Sequence, residues 1–207
     1  MKLHEIALSE EQLDEANLRH ALASVGLAGA LALSGATQHP LGAPVAVQKS
    51  IAPTWNKNTS QSHITTLTRT ILDKYSITPG IAAKVAATAK KYEYSTFPKA
   101  EDILSIVGIE SSFNPHSVSG LRHDPAKGLM QVRPGVWNLS PRALSTIDKQ
   151  IKVGSMILRS YYQKLGSVEA AVHAYNVGIT NFKRGTHLNP EYVEKYNDER
   201  KLYNNIM

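Results

Sequence analysis

The sequence of 207 residues contains no cysteine. This absence excludes a disulfide framework, thiolate metal ligands and cysteine nucleophiles, although it leaves the compartment undecided. The eight histidines show no spacing typical of a metal site, so neither a metal nor a cofactor is predicted. Zinc-finger spacing and other nucleic-acid-binding motifs are also missing, and no nucleic-acid partner is expected.

Basic side chains are scarce only in the amino-terminal segment of the chain. Residues 1–36 carry two basic and five acidic side chains, a net charge of −3, while the whole chain carries +6. The remainder is therefore basic, at +9 by subtraction. A basic body suits an acidic polymer such as nucleic acid or the carboxylate-bearing bacterial wall, and it also favours solubility.

Long apolar runs are missing as well. Residues 1–20 form an acidic segment with a helical pattern, and residues 21–36 form an apolar segment rich in small side chains. The apolar run of about thirteen residues is shorter than the roughly 20 that a membrane-spanning helix needs. Three interpretations stay open: a cleaved export signal, a segment that inserts weakly into a membrane, and a buried helix. The preceding acidic residues argue against the export signal.

Residues 37–62 have the composition of a flexible linker, and residues 63–207 are patterned as amphipathic helices. Helix starts are indicated at Thr78-Pro79, Phe97-Pro98, Ser145 or Thr146, Ser167 and Asn189-Pro190. Gly154 falls within the apolar face of the helix that ends near Leu165, which predicts close packing there. The polar tail from Asn197 is predicted to fray.

One acidic residue occupies an apolar position. Ile103, Ile106 and Val107 form a helical stripe, and Glu110 continues it at the next turn. Burial would disfavour the ionised carboxylate and raise its pKa, as a general acid requires. A satisfied core glutamate, or one that reaches water at a helix end, is the alternative. The Asn114-Pro115 pair ends this helix and begins an irregular loop that extends to Trp137.

Four motifs follow one another in a distinctive order: ESSFNP at residues 110–115, S-x-S at 117–119, GLMQ at 128–131 and AYNxG at 174–178. Together they resemble the lytic transglycosylases of the soluble (SLT) type, relatives of goose-type lysozyme, over roughly residues 78 to 196. The resemblance implies a mainly α, lysozyme-like domain with one long irregular active-site loop.

The resemblance also implies an activity and a substrate. The family cleaves the β-1,4 bond between N-acetylmuramic acid and N-acetylglucosamine in peptidoglycan glycan strands, and leaves a 1,6-anhydro sugar. Glu110 matches the glutamate that acts first as general acid and then as general base. Most glycosidases use two carboxylates, but one is enough when the substrate supplies the remaining groups.

Six further positions match substrate-binding motifs of the family: Ser119, Met130, Gln131, Tyr175, Asn176 and Tyr192. In the family the serine hydrogen-bonds the reacting sugar, and the Met-Gln pair lines the cleft. The Tyr-Asn pair orients the glutamate and the N-acetyl group. Tyr192 matches the last tyrosine of the family as a single residue in a loose sequence context.

The chain departs from the family between its serine and its GLMQ motif. Residues 121–127 lengthen the loop there, and Pro125-Ala126 stands where the family has Gly-Ala. Asp124 is the other acid in this region, and its basic, polar neighbours favour a solvated loop aspartate.

Three alternatives remain: a goose-type muramidase that uses the same glutamate, a non-catalytic wall-binding or channel-assembly protein, and a basic nucleic-acid-associated protein. The expected location is the bacterial cell envelope, periplasm or exterior, or else a phage virion. Virion or secretion-complex partners, and weak membrane association through residues 21–36, belong to these settings.

Overall fold

The computed structural model describes residues 16–22, 57–140 and 142–204. This part of the chain contains helices joined by loops, and its only β-type pairings are two isolated bridges, Val118 to Lys127 and Lys127 to Val132. The prediction of a mainly α domain with one long irregular loop is confirmed. The helices are α1 (residues 16–22), α2 (Lys57–Lys74), α3 (Pro79–Lys91), α4 (Ala100–Ser111), α5 (Ile147–Leu165), α6 (Val168–Val177), α7 (Ile179–Arg184) and α8 (Pro190–Asn204).

Helix α4 is the central element of the core. Every residue from Asp102 to Gly108 is buried, because α3, α5 and α8 all contact this helix. A helix enclosed on several sides needs apolar residues around most of its circumference, which α4 has. Glu110 follows these residues in the last turn of α4, before the helix ends at Ser111.

Helices α4 and α8 are joined by buried polar groups. Asp102 Oδ1 accepts hydrogen bonds from the Tyr196 hydroxyl at 2.6 Å and from Arg200 Nε at 2.5 Å. Near the other end of α4, a Cβ on Gly108 would lie 2.5 Å from the Tyr75 hydroxyl and 2.8 Å from Glu199 Oε1, so a larger residue would displace these side chains. These contacts fix the relative position of the two helices.

The turn that carries the GLMQ motif is held between α4 and α5. The buried amide of Gln150 accepts from the Leu129 backbone N–H at 2.9 Å and donates to the carbonyl groups of Pro115 and Leu144, each at 3.0 Å. The Ser111 hydroxyl donates to the Leu129 carbonyl at 2.9 Å. The irregular loop is therefore anchored by side chains of the adjacent helices.

Most predicted helix starts are confirmed. The hydroxyl oxygens of Thr78, Thr146 and Ser167 cap α3, α5 and α6 by accepting backbone N–H groups three residues on. Pro79 occupies the first turn of α3, and α8 begins at Pro190. Both arrangements agree with the preference of proline for the first helical position.

Three predicted boundaries are wrong, and one helix was not predicted. Helix α4 begins at Ala100 and not at Phe97-Pro98, because the Asp102 side chain accepts the Lys99 backbone N–H at 2.8 Å and so caps the helix there. Helix α2 begins at Lys57, inside the segment assigned to the linker. This start was missed because the first turns of the helix are polar and carry no apolar stripe. Helix α8 continues to Asn204 instead of fraying at Asn197, because Glu199 and Tyr203 are buried against the domain. The short helix α7 has too few residues for a detectable period.

The described part of the amino-terminal region is α1. Its Leu18 lies in the hydrophobic core, and Ala21 and Leu22 pack against that core. The rest of the acidic segment, residues 23–36 of the apolar segment and most of the predicted linker lie outside the described residues. No helix in the described ranges is long and apolar enough to span a membrane.

The predicted close packing at Gly154 is confirmed, and it gives a test of the fold. A Cβ at this position would lie 2.2 Å from Met130 Sδ and 2.9 Å from Met130 Cβ. We expect Gly154→Ala to lower the free energy of unfolding by about 1–3 kcal/mol through overpacking. Gly80→Ala is the matched control, because a Cβ there meets no atom within 4 Å. It should be neutral or stabilising by up to about 1 kcal/mol, as measured by urea unfolding.

Candidate active site

The carboxyl group of Glu110 lies between helices α4 and α8. Its Oε1 accepts a hydrogen bond of 2.5 Å from the hydroxyl of Tyr192, which lies in the first turn of α8. Tyr192 is 5% exposed, whereas Glu110 is partly open to solvent on its other side. The pairing of α4 with α8 therefore places a fixed donor on a carboxyl group that still faces a cleft.

Burial dominates the electrostatics of Glu110. It raises the pKa of the carboxyl group from 4.5 to about 7, and the hydrogen bond from Tyr192 opposes this rise because it favours the ionised form. Neither cause depends on a cation. A carboxyl group with this pKa exists in both protonation states near neutral pH, which suits a group that must donate and then accept a proton.

The open side of Glu110 faces a cleft of about 340 Å³. This volume is within the range of small-molecule sites. Residues from the irregular loop, α5 and the end of α6 line the cleft: Ser119, Leu121, Ala126, Gln131, Val132, Arg133, Val136, Trp137, Ile157, Tyr161, Tyr175, Asn176, Val177 and Gly178. Among the lining side chains of the described chain, Glu110 is the only acid.

Two tyrosines, Tyr161 and Tyr175, line the cleft together with Glu110, and their hydroxyl groups are neutral near pH 7. The Tyr175 hydroxyl donates to the Met130 carbonyl at 2.8 Å. Burial, followed by the negative charge of Glu110, raises the pKa of Tyr175 well above its ordinary value. Burial also raises the pKa of Tyr161 to about 12. These groups thus act as hydrogen-bonding groups with fixed protonation.

Two of the residues predicted to contact the substrate, Met130 and Tyr192, do not line the cleft. The Met130 side chain is fully buried and packs against Gly154, so in this structure only its carbonyl group serves the site, as the acceptor for Tyr175. The Tyr192 hydroxyl is directed at Glu110 and its ring is buried, so Tyr192 contacts the acid and has almost no surface for a sugar.

The other predicted residues line the cleft together. Ser119 Oγ accepts from the Ala126 backbone N–H at 2.9 Å, which leaves the hydroxyl proton for another acceptor. Gln131 Nε2 donates to the Gly128 carbonyl at 2.8 Å, an arrangement that fixes the amide. Asn176 Oδ1 accepts from Asn189 Nδ2 at 3.0 Å. Their substrate contacts stay predictions, although the positions allow them.

Asp124 is a loop aspartate, as expected from the sequence, but its side chain is only 23% exposed because backbone groups bind it. Its Oδ1 accepts from the Gly135 N–H at 2.6 Å and its Oδ2 from the Val136 N–H at 3.2 Å. These N–H groups begin the 3₁₀ turn Gly135–Trp137. Asp124 therefore attaches the lengthened loop to the turn that carries two cleft-lining residues.

Several lining residues were not predicted as site residues. Tyr161 was assigned only to the apolar face of its helix, and Trp137 only to the end of the irregular loop. Arg133 and Val136 lie two and five residues after the GLMQ motif, and that proximity was the one signal available. Among the described residues, no cluster of three His, Asp or Glu side chains could hold a metal ion.

Comparison with known families agrees with this geometry. The family model described as "Transglycosylase SLT domain" matches residues 83–197, more than half of the chain. The chain belongs to this family. Membership identifies a peptidoglycan-degrading domain of the lytic transglycosylase type and implies that peptidoglycan is its substrate. No curated protein and no solved structure shows a significant match to the chain.

The hydrogen bond from Tyr192 can be tested through the titration of Glu110. In Tyr192→Phe the carboxylate loses its donor, so the pKa of Glu110 should rise further above about 7. Carbon-13 NMR titration of the glutamate side chains measures this. Tyr196→Phe is the control, because it removes a tyrosine hydroxyl from Asp102 on the same pair of helices. An unchanged Glu110 titration in Tyr192→Phe contradicts the assignment.

The raised pKa of Glu110 also makes stability depend on pH. The folded state retains this proton up to about pH 7, whereas the unfolded chain releases it near 4.5, so folding loses stability as pH rises through this window. Glu110→Gln removes the effect. At pH 8 it should be more stable than the wild type by at most about 3 kcal/mol, and the difference should disappear below pH 4.5.

Thermal unfolding at several pH values measures this difference. Glu194→Gln, at an exposed position of α8, is the control and should show no such dependence. A stability difference for Glu110→Gln that is the same at pH 4 and pH 8 contradicts the account.

Proposed function

We propose that this protein is a peptidoglycan lytic transglycosylase that cleaves the β-1,4 bond between N-acetylmuramic acid and N-acetylglucosamine, with Glu110 as the only catalytic carboxyl group. The observation that carries the proposal is a single, largely buried acid with a pKa of about 7, held by Tyr192 at the edge of a sugar-sized cleft. Membership of the SLT family supports the class of substrate.

In the first step the protonated Glu110 donates its proton to the glycosidic oxygen. The bond between this oxygen and C1 of N-acetylmuramic acid breaks, and the N-acetylglucosamine residue leaves with the proton. Positive charge develops at C1, where the N-acetyl group of the same sugar assists. The Tyr192 hydroxyl stabilises the carboxylate that forms, because it donates a hydrogen bond to Oε1.

In the second step the Glu110 carboxylate removes the proton from the 6-hydroxyl of the muramic acid. The 6-oxygen then bonds to C1 and closes the 1,6-anhydro ring. The proton returns to Glu110, so no water is consumed and the enzyme is ready for another cycle. A pKa close to the working pH serves both steps, since neither protonation state is strongly favoured.

The position of Asp124 favours this mechanism over hydrolysis. A goose-type muramidase needs a second acid to hold the attacking water. Here both carboxylate oxygens of Asp124 accept backbone N–H groups, and Glu110 is the only acid among the described residues that line the cleft. A non-catalytic wall-binding protein is disfavoured because it has no need for a raised pKa at Glu110.

The biological setting is a further part of the proposal. Peptidoglycan as the substrate is consistent with the bacterial cell envelope and with a phage virion that opens the wall during entry. A specialised secretion complex that opens the wall is a further setting with the same substrate.

Mass spectrometry of muropeptides released from purified sacculi tests the activity. The wild type should release products that end in 1,6-anhydro-muramic acid, and Glu110→Gln should release them about 10²–10⁴-fold more slowly because it cannot donate the proton. Glu194→Gln should behave as the wild type. Products with reducing muramic acid ends indicate a muramidase, and release by Glu110→Gln at the wild-type rate excludes Glu110 as the acid.

A further inference from the structure

One positive charge lies in the wall of the cleft. Of the lining side chains in the described chain, only that of Arg133 carries such a charge, and it is 47% exposed. Arg133 directly follows Val132, which is held by backbone pairing with Lys127. The backbone that carries the guanidinium is therefore fixed, while the end of the side chain is accessible to a ligand.

Asp124 orients the guanidinium of Arg133 through its Nε atom. Its Nε donates to the Asp124 carbonyl at 3.2 Å and lies 3.4 Å from Asp124 Oδ2. The Asp124 carboxylate already accepts the N–H groups of Gly135 and Val136, so only part of its charge is available to Arg133. Within the described residues these contacts engage Nε, and the two terminal nitrogens have no protein acceptor.

Arg133 does not act on the catalytic acid. Burial and the hydrogen bond from Tyr192 are the causes that shift the pKa of Glu110, and Arg133 is not one of them. A guanidinium close to the carboxylate would lower this pKa, against the needs of a general acid. The charge in the cleft wall is thus separate from the proton-transfer chemistry and is available for the substrate.

We propose that Arg133 is a specificity-determining residue that binds a carboxylate of the substrate through its terminal guanidinium nitrogens, with Asp124 as its positioning residue. The inference rests on the proposed function and concerns the same cleft. A guanidinium matches a carboxylate with two parallel hydrogen bonds, and such charge-assisted pairs are stronger than neutral ones. A neutral sugar offers only hydroxyl and amide groups to this position.

Peptidoglycan supplies carboxylates from two sources. Strands that bear stem peptides carry the carboxylates of those peptides. Strands stripped of peptides by an amidase expose the carboxylate of the lactyl group on muramic acid. An oligomer of N-acetylglucosamine has the same backbone linkage and carries neither. These three ligands therefore separate the recognition of a carboxylate from the recognition of the sugar chain.

Calorimetric titration of these three ligands, at equal chain length, tests the inference. The Glu110→Gln protein is used as the parent so that no ligand is cleaved and binding is measured independently of turnover. Adding Arg133→Gln should weaken binding of carboxylate-bearing strands by about tenfold or more, as expected for the loss of a charged hydrogen-bonding partner. Binding of the neutral oligomer should stay unchanged. Arg133→Lys should give an intermediate loss, because it retains the charge but not the two parallel donors.

Arg122→Gln is the matched control, because it removes an arginine from the same loop at an exposed position outside the cleft lining. A loss confined to peptide-bearing strands identifies the stem peptide as the source, and a loss with stripped strands identifies the lactyl group. Equal affinities of Arg133→Gln and its parent for both kinds of strand overturn the inference. So does an equal loss in Arg122→Gln or with the neutral oligomer. Failure of the wild type to release anhydro products refutes the proposed function and leaves this binding comparison valid.

Discussion

A carboxyl group at the end of a buried, apolar helix must either stay neutral or have a partner that stabilises its charge. In this domain the partner is a neutral tyrosine hydroxyl, and no cation within the described ranges offsets the cost of burial at Glu110. The position of that hydroxyl depends on the pairing of α4 with α8, which Asp102, Tyr196 and the close approach at Gly108 maintain. The chemistry of the site is thus a consequence of how two helices pack.

The opposite wall of the cleft is built by a loop that is itself held by polar contacts. Gln150 and Ser111 anchor the GLMQ turn, and Asp124 attaches the lengthened segment to the turn that carries Trp137. Two of the additional loop residues, Leu121 and Ala126, thereby line the cleft. Asp124, another residue of this segment, orients Arg133, and among the described residues that line the cleft only Arg133 and Glu110 are charged. The departure of this chain from its family therefore lies in the wall of the cleft.

The sequence was most informative at positions where a residue type has a single structural role. The stripe that ends in Glu110 predicted its burial, and the caps and prolines predicted helix starts. The sequence was less informative about side-chain orientation, because a four-residue motif does not indicate which side chain enters the cleft. Met130 is in the core, while the neighbouring Gln131 lines the cleft, and Gly128 is required by its positive φ and its contact with Gln150. The hydrogen bonds of Asp124 could not be predicted from the sequence, since its partners are backbone groups eleven and twelve residues away.

The central claim is that Glu110 is held largely out of water and is protonated for much of the time near neutral pH. Carbon-13 NMR titration of the wild-type protein, with the Glu110 resonance assigned by its loss in Glu110→Gln, measures this most directly. The account predicts a midpoint of about 7. A midpoint near the ordinary value of 4.5 would contradict it, because the carboxyl group would then be ionised at neutral pH and have no proton to donate.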